Sequence, residues 1–246
     1  MPDRTESCLA EYAAKGESFV RGELAMRKLC IRNLQKKIAG RYESYLEPLG
    51  GIGLDAQTFQ VDSAQTYVND VDPECLKVLQ SKFGNVTRYD FFDSAQRAEL
   101  YGVQPDVIFV DFNDFTLFKF ISGEYRIETL DTFAAAQKFS ILNDCTPYYL
   151  RQFGRRSYER ISRLLQNEIT SVDEYFTALV PYYQDKVDWH LTDVEHFYWA
   201  SPKGNGASSY QLFRKTPQPL SVHFNPQKVS MSGGKVRCIA CSSKPR

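Results

Sequence analysis

From Tyr45 to Lys215 short apolar runs alternate with helical stretches, the pattern of parallel strands joined by crossover helices. Ser44–Leu46, Thr66–Asn69, Val86–Tyr89, Val107–Val110 and Phe139–Leu142 read as strands, and residues 127–138, 150–166 and 171–185 as helices. The last of these opens on Ser171 with Glu174 three positions on, a capping pair. Two further strand-like runs, 194–200 and 208–215, flank the glycine-containing SPKGNGA and predict an antiparallel hairpin closing the sheet. The expected fold is therefore α/β, a mostly parallel sheet flanked by helices. Upstream, Val20, Leu24, Ile31, Leu34 and Ile38 form one apolar stripe of a helix over 17–40. Its Arg21, Arg27, Lys28, Arg32, Lys36 and Lys37 read as a solvated face, with phosphate contact as the alternative. The division expected is an N-terminal helical extension (1–43), a main domain (44–216) and a basic C-terminal appendage (217–246).

Of the 246 residues, 43% are hydrophobic, enough for a substantial core and against a disordered chain. The formal net charge is zero, but it is an average over unlike segments. Residues 1–195 carry 22 positive and 30 negative charges, whereas the remainder carries eight positive charges and no acid. Such a tail is expected to face an anion. No apolar run approaches the ~20 residues of a membrane span, and the polar start does not read as a signal peptide. These features point to an intracellular, cytoplasmic protein with reduced thiols. Cys238 and Cys241 form a lone C-x-x-C, half of a four-ligand zinc site, so no metal is expected. The surrounding KVSMSGGKVRCIA reads either as a small hairpin about Ser232-Gly233-Gly234 or as a mobile tail.

Chemistry concentrates where the strands end. YLEPLGGIGLDAQTF (45–59) places Glu47 and three glycines, Gly50, Gly51 and Gly53, at a strand-to-helix junction, where a ligand can approach the backbone without a Cβ in the way. The next strand ends at Asp70, suited to accept hydrogen bonds from ribose hydroxyls. Asp72, followed by Pro73, reads as a helix N-cap. A third strand delivers Asp90 and Phe91, and a fourth delivers Asp111. Acids at successive carboxyl ends of parallel strands converge on one crevice. A nicotinamide dehydrogenase fits less well, because Asp55 and Ala56 stand where the last glycine of G-x-G-x-x-G is needed.

EPLGGIGLDAQTF followed by YVNDVDPECLKVL resembles the class I S-adenosylmethionine-dependent methyltransferases, most of all the nucleic-acid base enzymes, including the Dam-like adenine methyltransferases. The resemblance covers about residues 44–215 and implies a Rossmann-like sheet with S-adenosylmethionine as cofactor. It also implies that Glu47, Gly51 and Gly53 surround the methionine moiety, with Gly50 in the same loop, that Asp70 holds the ribose, and that Asp90 with Phe91 meets the adenine. In amino-directed base enzymes the fourth-strand motif carries an acidic or amide residue, two prolines and an aromatic; here it is DFNDF (111–115), without prolines. Asp111, Asn113 and Asp114 are the catalytic candidates there, as acceptors for an exocyclic amine. The turn around Cys145 is similar to the S-C-N-P turn of RNA uracil carbon-5 methyltransferases, which implies a nucleophilic thiol; the alternative is a small buried hydrophobe.

RQFGRRSYERISR (151–163) places Arg151, Arg155, Arg156 and Arg160 in two cationic stripes of one helix, and Lys235 and Arg237 add charge in the tail. These six are the candidate nucleic-acid contacts. The function expected is methyl transfer to a nucleic-acid base, DNA or RNA. The alternatives are a catalytically inactive methyltransferase-like protein that binds nucleic acid or assists assembly, and a small-molecule or protein methyltransferase.

Overall fold

The computed structural model describes residues 17–59, 62–111, 135–184, 189–201, 204–216, 223–232 and 235–239. The chain divides into two compact units, one of residues 1–111 and 134–140, the other of residues 112–133 and 141–246.

In the first unit α1 (Glu17–Ile38) precedes β1 (Tyr45–Glu47), α2 (Leu54–Phe59), β2 (Thr66–Asn69), α3 (Pro73–Gln80), β3 (Asn85–Thr87), α4 (Ser94–Tyr101) and β4 (Val107–Asp111). The strands run in the order β3-β2-β1-β4 and are parallel at each pairing. Because β1 lies between β2 and β4, the strand order reverses at β1, and the crevice that such sheets offer a ligand opens at the carboxyl ends of β1 and β4. Buried Tyr45, Phe59 and Phe109 form the aromatic centre, with ring centroids 4.7 to 6.5 Å apart. Against α2 packs α1, whose Cys30, Ile31, Leu34 and Ile38 are fully buried. The Asp72 carboxylate caps α3, accepting from the N–H groups of Glu74 and Cys75, as its place before Pro73 predicts. Cys75 is disulfide-bonded, which corrects the expectation of reduced thiols throughout. Pairing requires only that two Cβ atoms meet in space, a proximity invisible in scattered sequence positions.

The second unit carries the main part of β5 (Phe139–Asp144), then α5 (Thr146–Phe153), α6 (Arg155–Leu165), α7 (Val172–Gln184), β6 (Trp189–Ser201), β7 (Gly204–Lys215), β8 (His223–Ser232) and β9 (Lys235–Ile239). Its strand order is β5-β7-β6-β8-β9. The expected hairpin is present as the antiparallel β6–β7 pair, with a bulge between Leu191 and Asp193. β8 lies parallel to β6, and β9 folds back on β8 with Ser232 opposite Lys235. Residues 223–232 and 235–239 thus extend the sheet of this unit, and the antiparallel β8–β9 pair agrees with the hairpin reading of KVSMSGGKVRCIA. The capping pair at α7 is also present: Ser171 Oγ accepts the Glu174 N–H at 3.2 Å, and Glu174 Oε2 accepts the Ser171 N–H at 3.1 Å. The single helix expected over 150–166 is instead two, broken at Gly154, whose φ of +57° favours glycine and does not continue a right-handed helix. Most of the helix expected over 127–138 lies outside the described residues.

Asp144, at the end of β5, organises this second unit. Its buried carboxylate accepts from the Thr146 N–H (2.8 Å) and hydroxyl (2.6 Å), the Tyr175 hydroxyl (2.5 Å) and Gln211 Nε2 (2.8 Å). One side chain thereby ties together the start of α5, α7 and β7. Burial raises its pKa despite these donors, so its contribution to stability falls as pH rises from the unfolded-state value through the raised folded one. Asp144→Ala strands four buried donor groups of three residues and is expected to cost at least about 3 kcal/mol in urea denaturation. Asp144→Asn is expected to cost about 1 kcal/mol and to flatten part of the pH slope, because Gln211 Oε1, which has no hydrogen-bond partner, can accept from the new amide when Gln211 turns over.

Candidate cofactor site and basic surface

The three glycines of the first loop differ in what holds them to glycine. A Cβ on Gly50 would meet Val68 Cγ1 at 2.2 Å, and one on Gly53, at φ +73°, would meet Phe83 Cε2 at 2.5 Å. Both are glycine because protein packs against them. Gly51, at φ +51°, has nothing within 4 Å of where a Cβ would stand. Of the three it is the one whose bare backbone faces open space, and its N–H donates to Asp70 Oδ2 at 2.8 Å. Asp70 Oδ1 accepts the Asp72 N–H at 2.8 Å. Burial pushes the Asp70 carboxyl above the ordinary range, with the Asp72 and Gly51 N–H groups opposing.

Glu47 is 1% exposed and is held within the protein. Its Oε2 accepts the Ala56 N–H at 2.9 Å and the Tyr45 hydroxyl at 3.2 Å, which fastens the loop to the first turn of α2. Burial, then the neighbouring Asp55 charge, push its pKa well up, and Arg27 opposes them. At the end of β3, Asp90 is half-buried and its Oδ1 accepts the Phe92 N–H at 2.9 Å. Phe91 is 1% exposed, its ring packed against Tyr101 and Phe92 with the Arg97 guanidinium 5.9 Å from its centroid. Of these two aromatics, the one left partly exposed at this strand end is Phe92.

Arg27 is the residue that the reading of α1 as a solvated basic face misplaced. Its Nε donates to Asp55 Oδ1 at 2.7 Å, and its Nη2 ion-pairs with both Asp55 and Asp111. The guanidinium therefore joins α1 to α2 and to the end of β4, and Asp111, a catalytic candidate, spends its carboxylate on this contact. The signal was present in the sequence: Arg27 stands three residues after Leu24 and four before Ile31, inside the apolar stripe. Asn113 and Asp114 lie outside the described residues. In the second unit Cys145 is a partly exposed thiol preceding α5, its carbonyl accepting the N–H groups of Tyr148 and Tyr149.

The break at Gly154 separates Arg151 on α5 from Arg155, Arg156 and Arg160 on α6, so the expected Arg151–Arg155 stripe of a single helix does not exist. All four are exposed, and Arg155 Nε donates to Glu159 at 2.7 Å. Lys235 and Arg237 lie on β9, opposite Ser232 and Ser230. Among the described residues no group of three or more His, Cys, Asp or Glu is placed to hold a metal ion, and no helix is long and apolar enough to cross a membrane.

No family model and no curated protein matches the chain. Solved structures do. Magnesium protoporphyrin IX methyltransferase from Synechocystis PCC 6803, with bound S-adenosylhomocysteine, aligns at a TM-score of 0.50 and 10% identity over 84% of this chain and 92% of that one. The plantazolicin methyltransferase BpumL aligns at 0.45 and 14% identity over 85% and 89%, and the 16S rRNA methylase ArmA at 0.45 and 11% over 85% and 90%. At these identities the likeness is one of fold: the chain has the Rossmann-like fold of the class I S-adenosylmethionine-dependent methyltransferases.

Arg27→Met would leave Asp55 and Asp111 buried beside Glu47 without their counter-charge. A loss of about 3 kcal/mol at pH 7 is expected. Urea midpoints of the variant and the wild-type chain at pH 7 measure it.

Proposed function

We propose that the chain is an S-adenosylmethionine-dependent methyltransferase acting on a nucleic-acid base. The observation that carries the cofactor is Gly51, left-handed and open, with the Asp70 carboxylate on its N–H at the switch point of a parallel sheet. These residues fit a nucleoside with an amino-acid arm: Asp70 as acceptor for ribose hydroxyls, Gly51 as close backbone approach, and Asp90 with Phe92 toward the base. Glu47 keeps the loop in shape from below, and Gly50 and Gly53 let it pack. S-adenosylmethionine bound there would supply a methyl group on a sulfonium, and what the protein must add is alignment of the acceptor and exclusion of water.

The nucleic-acid reading rests on the exposed arginines of α5 and α6, with Lys235 and Arg237 on β9 and the acid-free charge of the last 51 residues. Arginine forks suit phosphate oxygens. With Asp111 engaged by Arg27, the acceptor role for an exocyclic amine passes to Asn113 and Asp114. Covalent attack through Cys145 is the competing chemistry, and Cys145→Ala separates the two, abolishing turnover only in the covalent route. The Arg27–Asp111 ion pair also favours a second reading, a methyltransferase-like nucleic-acid binder without activity. Transfer of labelled methyl groups from S-adenosylmethionine to RNA or DNA decides between them: incorporation supports the enzyme, and cofactor binding without incorporation into any nucleic acid overturns the substrate assignment. An intracellular location belongs to the same reading.

Cofactor affinity gives a pH test of Asp70. The ionised carboxylate is the better acceptor, and its pKa is raised, so affinity should fall on acidification at a higher pH than an exposed aspartate would give. Calorimetry with S-adenosylhomocysteine across pH 5 to 8 is expected to show this, with Asp70→Asn binding about tenfold more weakly at pH 8 and without the slope.

A further inference from the structure

Where α5 gives way to α6, an exposed aromatic stands next to a cationic helix face. Phe153, the last residue of α5, is 59% exposed, more than any other large apolar side chain among the described residues. Its ring stacks on Tyr149, one turn earlier, at a centroid distance of 5.7 Å and an interplanar angle of 26°. Gly154 donates its N–H to the Leu150 carbonyl at 3.1 Å, while its own carbonyl accepts the N–H groups of Ser157 (3.0 Å) and Tyr158 (3.2 Å). The glycine thus closes one helix and opens the next, and the elbow carries Phe153 and Arg155 on its two sides.

Along α6, Arg155, Glu159, Arg163, Arg156 and Arg160 are exposed and fall on one arc of about 140° at 3.6 residues per turn, with Ile161 buried on the other side. Glu159 answers Arg155 by an ion pair, and the cleft of about 900 Å³ beside Arg155 and Tyr158 also has Glu159 and Glu168 in its lining. Arg163 lines the same cleft, so the part of the arc turned away from the two acids is the side of Arg156 and Arg160.

We propose that this elbow is a binding site for single-stranded nucleic acid: Phe153, backed by Tyr149, stacks on an unpaired base, and Arg156 and Arg160 hold phosphates of the same strand. The pairing of features selects the ligand. A duplex keeps its bases stacked on each other and has no open face for Phe153, whereas an acidic peptide uses the arginines and leaves the ring in water. Only an unpaired strand uses both. This deepens the nucleic-acid reading above, on which it rests, by assigning the form of the substrate and adding Phe153 to its contacts.

Fluorescence anisotropy of the full chain with a labelled 12-nucleotide single strand and with the corresponding duplex tests it. Phe153→Ala is expected to weaken single-strand binding about ten- to a hundredfold, with little change for the duplex or in the salt slope, and Phe153→Trp to retain affinity. Arg156→Gln with Arg160→Gln is expected to reduce the slope of log K against log salt by about 1 to 1.5. Single-strand affinity unchanged by Phe153→Ala, or duplex affinity falling equally, overturns the stacking site while leaving the nucleic-acid reading in place. A wild-type chain that binds neither oligonucleotide at low salt overturns the nucleic-acid reading itself. Because Phe153 is exposed, thermal melting should match wild type, which separates lost contact from lost fold.

Discussion

A guanidinium between two buried carboxylates joins the pieces of the first unit. Arg27 reaches from α1 to Asp55 at the start of α2 and to Asp111 at the end of β4. Ionised carboxylates taken out of water cost several kcal/mol each unless they are paired or hydrogen-bonded. The pairing of Asp55 and Asp111 with a counter-charge therefore depends on α1 lying where it does. Glu47, fully buried nearby, adds to the demand and is met by the Ala56 N–H and the Tyr45 hydroxyl. The helix that read as an extension is in this sense part of the construction of the loop that follows β1.

The second unit solves the same problem without a cation. Asp144, also at the carboxyl end of a strand, is surrounded by neutral donors from Thr146, Tyr175 and Gln211. Burial dominates and holds its proton affinity up, yet each oxygen has two donors. In both units, then, the strand-end acid is used to hold backbone in place. Asp70 is different: two backbone N–H groups steady it, it is only partly buried, and it stands beside the one glycine of its loop that opens on free space. That contrast, more than the number of acids, is what supports the ligand role proposed for Asp70.

The basic surface has a corresponding division. Charge alone attracts any polyanion, and it acts without regard to sequence or strandedness. An aromatic ring stacked on a neighbour at the margin of that charge offers a contact that only an unstacked base can make. The hydrogen bonds at Gly154 matter here, because a ring on an unanchored loop would lose in ordering what it gains in stacking.

Periodicity and residue type were sufficient for the strands β1 to β5, the closing hairpin, the caps at Asp72 and Ser171, and the position of the glycine loop. Each is governed by interactions within a few residues or by the simple alternation of buried and exposed faces. The sequence could not say which glycine opens on free space, since Gly50 is set by Val68 and Gly53 by Phe83, contacts made across the fold. Nor could it say that Phe91 goes inside while Phe92 stays partly open, or that a glycine between two arginine-rich stretches would stop a helix. Arg27 marks the boundary most sharply. An arginine within an apolar stripe was legible as an anomaly in the sequence, but its meaning came from Asp55 and Asp111, residues 28 and 84 positions away whose charges only the folded sheet brings to the same guanidinium.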